Sequence, residues 1–453
     1  MKRFVTLAVL IMLFVSAFSV TGVAAQRPSQ EWIVISAAEG VMKLPTFANS
    51  QVQIAGGRIV RQFPQIGALV VSSTDANFAR KMSALGLLAA PNRIIPNENP
   101  TRLVRQAVNP SASDGSSNPL AIYQWSLKAV HAQEGWAAGR RGQGATVAVL
   151  DEGFYLNHPD LAANFDLRNA ASFVPGESVQ WTAGVGFSHG THVSGIIAAV
   201  DNTIGNVGVA PQAKVIPVKV LSEQLGYGED AWVISGMLYV GQLRATGRSN
   251  VSIINMSLGG LCERTDPECR AVKRVYDLVV TLLKLQGITT VISAGNDELN
   301  ADANRNIIVL PAQARNALSI SATGPIGWGL DPSADPRRPA SYSNFGKTLV
   351  TYAAPGGDFA YPGEEPCTVG GVARPCWVYD MVQSPGEASS DGVYSYWAAG
   401  TSMAAPHVAG ILAQYASAVG GTITPAQAEQ ALKHFAQRLS PIAFYGNGFT
   451  RAN

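Results

Sequence analysis

The chain is predicted to fold as an α/β protein with a doubly wound, mostly parallel sheet, preceded by a small α+β unit. Three observations predict it. Four apolar, β-rich runs, "ATVAVLD" (145–151), "AKVIPVKVL" (213–221), "SIINMSLG" (252–259) and "GITTVISAGN" (287–296), read as strands buried on both faces. Helical patterns such as "DAWVISGMLYVGQLRATG" separate them, and such alternation implies parallel pairing through right-handed crossovers. The composition agrees: 453 residues, 47% hydrophobic and 14% charged, with 45 Gly and 26 Pro, suit a compact, loop-rich protein with a large core.

Taken in order, the chain opens with Lys2 and Arg3, an apolar run, and the small residues Val23, Ala24 and Ala25 before polar "QRPSQE". This reads as an export signal over residues 1–25, cleaved after its small residues, with no later membrane span. From Trp32 to about Ile95 comes the small unit. It has a strand "WIVIS", a hairpin through "GRIVRQFPQIGALVVSS", a helix "DANFARKMSALG" ended by Gly86, and a last strand near "NRIIP". Gly40 and Pro45 obscure any helix before the hairpin. Residues 97–119, rich in Asn, Ser and Pro, read as an exposed linker. The parallel domain follows from residue 120 to 453, with Gly/Pro-rich insertions between 324 and 395 looping over its core.

Net charge is +2, unevenly spread: residues 1–25 carry +2, residues 26–110 carry nine basic and four acidic groups, or +5, which leaves −5 for the rest. A basic segment facing an acidic one is expected, and no basic stripe points to nucleic acid. The four cysteines form two close pairs, Cys262 with Cys269 and Cys367 with Cys376; export makes two local disulfides the expectation, and no Cys-x-x-Cys or nearby His completes a metal site.

Three segments carry chemistry. "VAVLDEGF" ends a strand on Asp151, "SHGTHVSG" puts His189 at a helix start, and "AAGTSMAAPHVAGIL" puts Ser402 at another. A serine hydroxyl becomes a nucleophile when an imidazole takes its proton, and a carboxylate fixes that imidazole's tautomer. "SAGN" ends a strand on Asn296, whose amide can donate to an oxyanion beside the Ser402 backbone N–H. Each residue alone would be a cap or a turn; their joint occurrence argues for acyl transfer. A zinc reading of His189 and His192 lacks the His-Glu-x-x-His spacing, and an α/β-hydrolase reading lacks Gly-x-Ser-x-Gly and the order Ser, acid, His.

With "VAVLDEGF...NHPDL", "HGTHVSG", "GVAP", "NMSLGG", "SAGN" and "GTSMAAPHVAG" in this order, the chain resembles the subtilisin-like serine peptidases. The resemblance implies a secreted serine endopeptidase, extracellular or periplasmic, made as a self-processing zymogen. Its catalytic residues would be Asp151, His189 and Ser402, with Asn296 in the oxyanion hole. Residues 26–96 would be a ferredoxin-like propeptide acting as an intramolecular inhibitor. Peptide would bind as a strand between Gly226, Tyr227 and Gly228 on one side and Ser257, Leu258 and Gly259 on the other, with Ser293 and Gly295 leaving side-chain room. Asp297 and Glu298 would lie near that pocket's rim, as solvated acids or as a hint of tolerance for basic side chains. No cofactor for catalysis is implied. A structural calcium ion is, on Asp160, Asn202 and the carbonyls of Val200, Ile204 and Asn206. Protein or peptide substrates, a monomer and no membrane partner complete the expectation. Gly190 and Thr191 would let the helix close on the sheet, and His192 would be structural. Glu152 departs from the family, which has a small polar residue after the aspartate; it is expected to point to solvent. A catalytically inactive binding module of the same fold is the alternative, supported by Glu152 alone.

Overall fold

The computed structural model describes residues 29–38, 43–97, 102–108, 118–182, 184, 187–389 and 392–453; the expected export signal at 1–25 lies outside them. Among the described residues no helix is long and apolar enough to cross a membrane.

A seven-stranded sheet runs in spatial order Tyr352–Pro355, Leu318–Thr323, Thr289–Ser293, Ile253–Met256, Thr146–Asp151, Lys214–Lys219 and Ala171–Ser172. Every neighbouring pair is parallel. The four apolar runs became four adjacent inner strands, and Thr146–Asp151 is buried at every position, as a strand covered on both faces must be. From Thr146–Asp151 the chain goes to Ala171–Ser172 and Lys214–Lys219 on one side and then to Ile253–Met256 on the other. The winding reverses there, so Asp151 closes the strand at the topological switch point, where crevices open in sheets of this kind.

On one face lie the helices His189–Ala198 and Thr401–Ala418, in a core with Val147, Val149, Val193, Ile197 and Val408. The second helix is buried from Thr401 to Ala416, which suits its apolar, small residues on all sides. The opposite face carries the helices Asp230–Ala245 and Pro267–Leu285, packed through Val233, Met237, Val272 and Val279. Both expected disulfides are present, Cys262–Cys269 and Cys367–Cys376.

The N-terminal unit is an antiparallel sheet of β1 (Gln30–Ser36), β2 (Gly57–Phe63), β3 (Ala68–Ser73) and β4 (Leu87–Pro91), in the order β2-β3-β1-β4. The predicted hairpin and the helix α2 (Phe78–Ala84) are there, together with a helix α1 (Ala48–Ile54) that the sequence left obscure. One sheet face packs on α1 and α2 through Val34, Val52, Val71, Phe78 and Met82. The other face, with Ile33, Ile35, Phe63 and Val70, joins the core of the two helices on the larger sheet.

Two expectations are corrected. The "NRIIP" strand, β5 (Ile94–Pro96), does not enter its own sheet: β4 already occupies the place beside β1, and β5 pairs antiparallel with Tyr227–Glu229. The stretch 97–119 is not all linker, because β6 (Leu103–Val108) pairs antiparallel with Gly392–Ala398. Among the described residues the basic segment pairs with the body through Arg93–Asp230, Arg102–Glu364 and Arg105–Glu387, of which only the first reaches a fully buried carboxylate. Arg93 donates to Asp230 through Nε at 2.8 Å and Nη2 at 3.2 Å, and Asp230 also accepts from the Tyr276 hydroxyl at 2.7 Å.

Candidate active site

Asp151 and His189 meet at the switch point. Asp151 Oδ1 accepts from His189 Nδ1 at 2.8 Å and from the Glu152 backbone N–H at 2.9 Å, with both side chains buried. A carboxylate partner fixes Nδ1 as the protonated nitrogen and leaves Nε2 as the acceptor in the neutral ring. The residues after His189 explain the close approach. A Cβ on Gly190 would lie 3.0 Å from the Gly153 carbonyl and 3.1 Å from that of Glu152, so a larger residue would push the helix off the strand end. Thr191 Oγ1 accepts the Tyr155 N–H at 2.8 Å and pins the loop. His192 turns away, donating from Nε2 to the Tyr396 carbonyl at 3.0 Å; burial lowers its pKa to about 3, so it stays neutral.

Ser402 is the second residue of its helix. Its carbonyl accepts the Ser257 hydroxyl at 2.8 Å. One residue before, the Thr401 N–H and hydroxyl donate to Asn296 Oδ1 at 2.8 and 2.9 Å, which commits the amide oxygen and turns Nδ2 the other way. A Cβ on Gly400 would stand 3.6 Å from both Asn296 Nδ2 and the Ser402 backbone N. The two N–H donors thus flank one small volume. Met403 packs with Phe187, Ile196 and Tyr396, and the Phe187 ring lies 6.2 Å from the His189 ring, so the first turns of the two helices share a satellite core.

Glu152 does not point to solvent. It is buried, with Oε1 accepting the His189 backbone N–H at 2.8 Å and Oε2 accepting the Asn97 side-chain N–H at 3.0 Å. The first N–H groups of a helix have no partner inside it, and a carboxylate there also meets the positive end of the helix dipole. Burial raises the Glu152 pKa to about 7, against the opposing pull of His189.

The strand edge expected to take peptide is paired with another segment of the chain. Tyr227 and Gly228 pair with Pro96 and Ile95 of the same chain, and the Asn97 N–H donates to the Gly226 carbonyl at 3.0 Å. Ser257, Leu258 and Gly259 follow the strand Ile253–Met256, where Gly259 lies close under the Leu310 carbonyl, 3.0 Å from where its Cβ would be. Ser293 ends its strand, and Gly295, at φ +94°, donates its N–H to Thr401 Oγ1 at 3.0 Å. Asp297 and Glu298 are exposed, and Asp297 Oδ2 accepts from Asn344 Nδ2 at 2.9 Å.

Asp160 is buried at a second polar centre. Its Oδ2 accepts the Asn206 N–H at 2.7 Å, its carbonyl accepts the Val200 N–H at 2.8 Å, and Oδ1 is buried with no hydrogen-bond partner. Asn202 Oδ1 accepts the Ile204 N–H at 2.6 Å, which closes the loop on itself. An orphaned, buried carboxylate oxygen fits a hard cation. Among the described residues no three His, Cys, Asp or Glu side chains cluster as metal ligands, so carbonyl and amide oxygens would have to complete such a shell.

Sequence reasoning missed Asn97, Thr401 and a buried ion cluster. Lys219 is fully buried at the end of its strand and pairs with Glu177 at 2.7 Å and with Glu223. A lysine closing a strand whose interior is apolar, with a glutamate four residues on, was the available signal.

A switch-point carboxylate holding an imidazole, with a serine on the adjoining buried helix, is the frame of a serine peptidase. A model of the subtilase family matches residues 142–448. Subtilisin E of Bacillus subtilis (strain 168) is 30% identical over 442 residues, covering 97% of this chain and 94% of that protein. The extracellular basic protease of Dichelobacter nodosus is 32% identical over 346 residues, 69% of this chain and 50% of its own. Among solved structures, the epidermin leader peptide processing serine protease of Staphylococcus aureus superposes with a TM-score of 0.70 at 20% identity, over 94% of this chain and 98% of that one. Fervidolysin of Fervidobacterium pennivorans gives 0.65 at 21% identity, over 95% and 61%. The chain belongs to the subtilase family, and it is a serine endopeptidase.

Proposed function

We propose that the enzyme is exported as a zymogen and cleaves peptide bonds through an acyl-enzyme on Ser402. His189 Nε2 takes the Ser402 proton as the hydroxyl attacks the scissile carbonyl, then gives it to the leaving amine. Asp151 holds the ring in the required tautomer and stabilises the imidazolium. Asn296 Nδ2 and the Ser402 N–H donate to the oxyanion, whose charge also meets the positive end of the Ser402 helix. A water then hydrolyses the ester by the same proton path in reverse. The 2.8 Å bond between Asp151 and His189 carries this reading, supported by the convergence of the two amide donors at Gly400.

Residues 26–96 act as the inhibitory segment in this proposal, and β5 lies on the groove strand Tyr227–Glu229 as a substrate would. Processing falls between about residues 95 and 120. Asp160, Asn202 and the carbonyls of Val200, Ile204 and Asn206 would hold a calcium ion whose role is to stabilise the fold, with Asp160 Oδ1 as its buried anionic ligand.

A fluorophosphonate probe tests the chemistry: it should label the wild-type enzyme and not Ser402→Ala. A folded wild type that resists labelling would sink the proposal. Mass analysis of exported protein tests processing, which should depend on Ser402; the same new N-terminus in the alanine variant would exclude self-cleavage.

A further inference from the structure

The groove carries a feature that general peptide binding does not require. Asn97, the residue after β5, sends its side chain down beside the Asp151–His189 pair. There Nδ2 donates twice, to Glu152 Oε2 at 3.0 Å and to the Ser222 carbonyl at 3.0 Å. The same amide's oxygen, Oδ1, is buried with no partner. A primary amide brings two donors and one carbonyl acceptor, and only the donors are used. Two acceptor groups line this subsite, and the one acceptor of its occupant is left unsatisfied.

Charge points the same way. Glu152 faces the carboxylates of Asp151 and Glu223, and the nearby Lys219 is already paired with Glu177 and Glu223. Glu223 is further engaged by the Thr182 N–H and hydroxyl at 3.0 and 2.9 Å. Glu152 is in no ion pair among the described residues: its two oxygens rest on a helix N–H and on a neutral amide. Burial, with Asp151 and Glu223 nearby, pushes its pKa up against the pull of His189.

We infer that Glu152 and the Ser222 carbonyl form a specificity subsite for a cationic side chain, lysine or arginine, at the substrate position whose backbone N–H bonds to the Gly226 carbonyl. The inference rests on the peptidase reading of the groove and names what that groove selects. A lysine or arginine brings donors only, so no acceptor is stranded, and its charge meets a buried carboxylate that lacks one. Asn97 occupies the site as a neutral donor. The chain's own segment is thus a weaker occupant than a basic substrate, which suits a segment that must leave. Oε1 caps the His189 helix whatever the occupant; Oε2 reads the side chain.

Profiling wild type and Glu152→Gln against a peptide library tests this. In wild type one position upstream of the cut should favour Lys or Arg over Leu by about 10-fold or more in kcat/KM, the scale of a charge-assisted hydrogen bond. In Glu152→Gln that ratio should fall to about 2-fold. The ratio within one variant is the readout, so a general change in turnover cancels. No basic preference at any position, or one that survives in Glu152→Gln, would overturn the subsite. A measurement without turnover separates this from failure of the peptidase reading. In full-length Ser402→Ala protein, Asn97→Lys should raise the melting temperature and Asn97→Leu lower it, and adding Glu152→Gln should collapse the difference. Equal melting temperatures for the Lys and Leu variants would refute the subsite even if no peptide were cleaved, whereas the expected split without any cleavage would refute the peptidase reading alone.

Discussion

The N-terminal unit and the body it rests on are stabilised in different ways. The body's sheet is covered on both faces by its own helices, and its strands bury every residue of Thr146–Asp151 and Thr289–Ser293. The unit covers only one face of its sheet with its own α1 and α2; Ile33, Ile35, Phe63 and Val70 on the other face are covered by the body's helices. The body's sheet is covered on both faces without the unit, whereas one face of the unit's sheet is covered only by the body. Its hold is an apolar face, the Arg93–Asp230 ion pair, hydrogen bonds that link Arg61 to Ser235, Asn92 to Glu229 and Arg274 to the Ala37 carbonyl, a three-residue strand and Asn97. A segment attached this way is ordered while docked and loses half its core when released, which makes its departure hard to reverse.

The largest expected effect breaks the body's chemistry and leaves this hold intact. Ser402→Ala should lower peptide hydrolysis by at least about 10³-fold, with an unchanged unfolding profile. A parallel loss of stability would mean that the variant acts through packing and not through the nucleophile.

Next comes the ion pair. Arg93→Ala would leave Asp230 fully buried without its cation, a change that costs about 4 kcal/mol. The loss should fall on the unit's docking: the first denaturant transition should move to lower concentration while the later one stays. A single transition that moves as a whole would show the unit and body to be one cooperative block, and the contrast drawn above would fail.

Glu152 sits where the two regions touch, and its pH response sharpens the comparison. Its pKa in the folded protein is raised from 4.5 to about 7, with Asp151, His189 and Glu223 as the charged groups facing it. The folded state therefore binds this proton more tightly than the unfolded one. The stability it contributes is present in full below about pH 4.5 and is lost as pH rises through about 7. The effect is about 3 kcal/mol. Glu152→Gln abolishes the titration, so its melting temperature relative to wild type should be higher at pH 8.5 than at pH 5. A pH-independent difference would show that Glu152 is charged throughout.

How far the sequence could be read follows the same division. The body's inner strands and the approach of Asp151 to His189 were legible because buried parallel strands leave continuous apolar runs, and because each site residue sits in a motif at a strand end or helix start. Glu152 was misread: nothing local distinguishes a solvated acid from one capping a helix 37 positions later. The strand Leu103–Val108 was hidden by its Asn-, Ser- and Pro-rich surroundings, and its own LVRQAV pattern does not alternate apolar with polar residues. β5 was visible as a strand, but its partner was not. Pairing with Tyr227–Glu229 is decided more than a hundred residues away, after β4 has taken the nearer edge.

The smallest expected effect concerns the Asp160 loop, whose partners Gln383 and Ser395 belong to the body and Asn118 to the residues that lead into it. Calcium bound to the folded state alone stabilises by mass action; at about 30 times its Kd this amounts to about 2 kcal/mol. Chelator should then lower the melting temperature by a few degrees. Asp160→Asn keeps an oxygen in place but removes the charge, and it should abolish the response to chelator. The shift should appear in the body's transition and spare the unit's, because no strand of the unit touches this loop through a hydrogen bond among the described residues. A melting temperature indifferent to chelator, or a shift that persists in Asp160→Asn, would remove calcium from this loop and leave Asp160 Oδ1 to be satisfied by a proton.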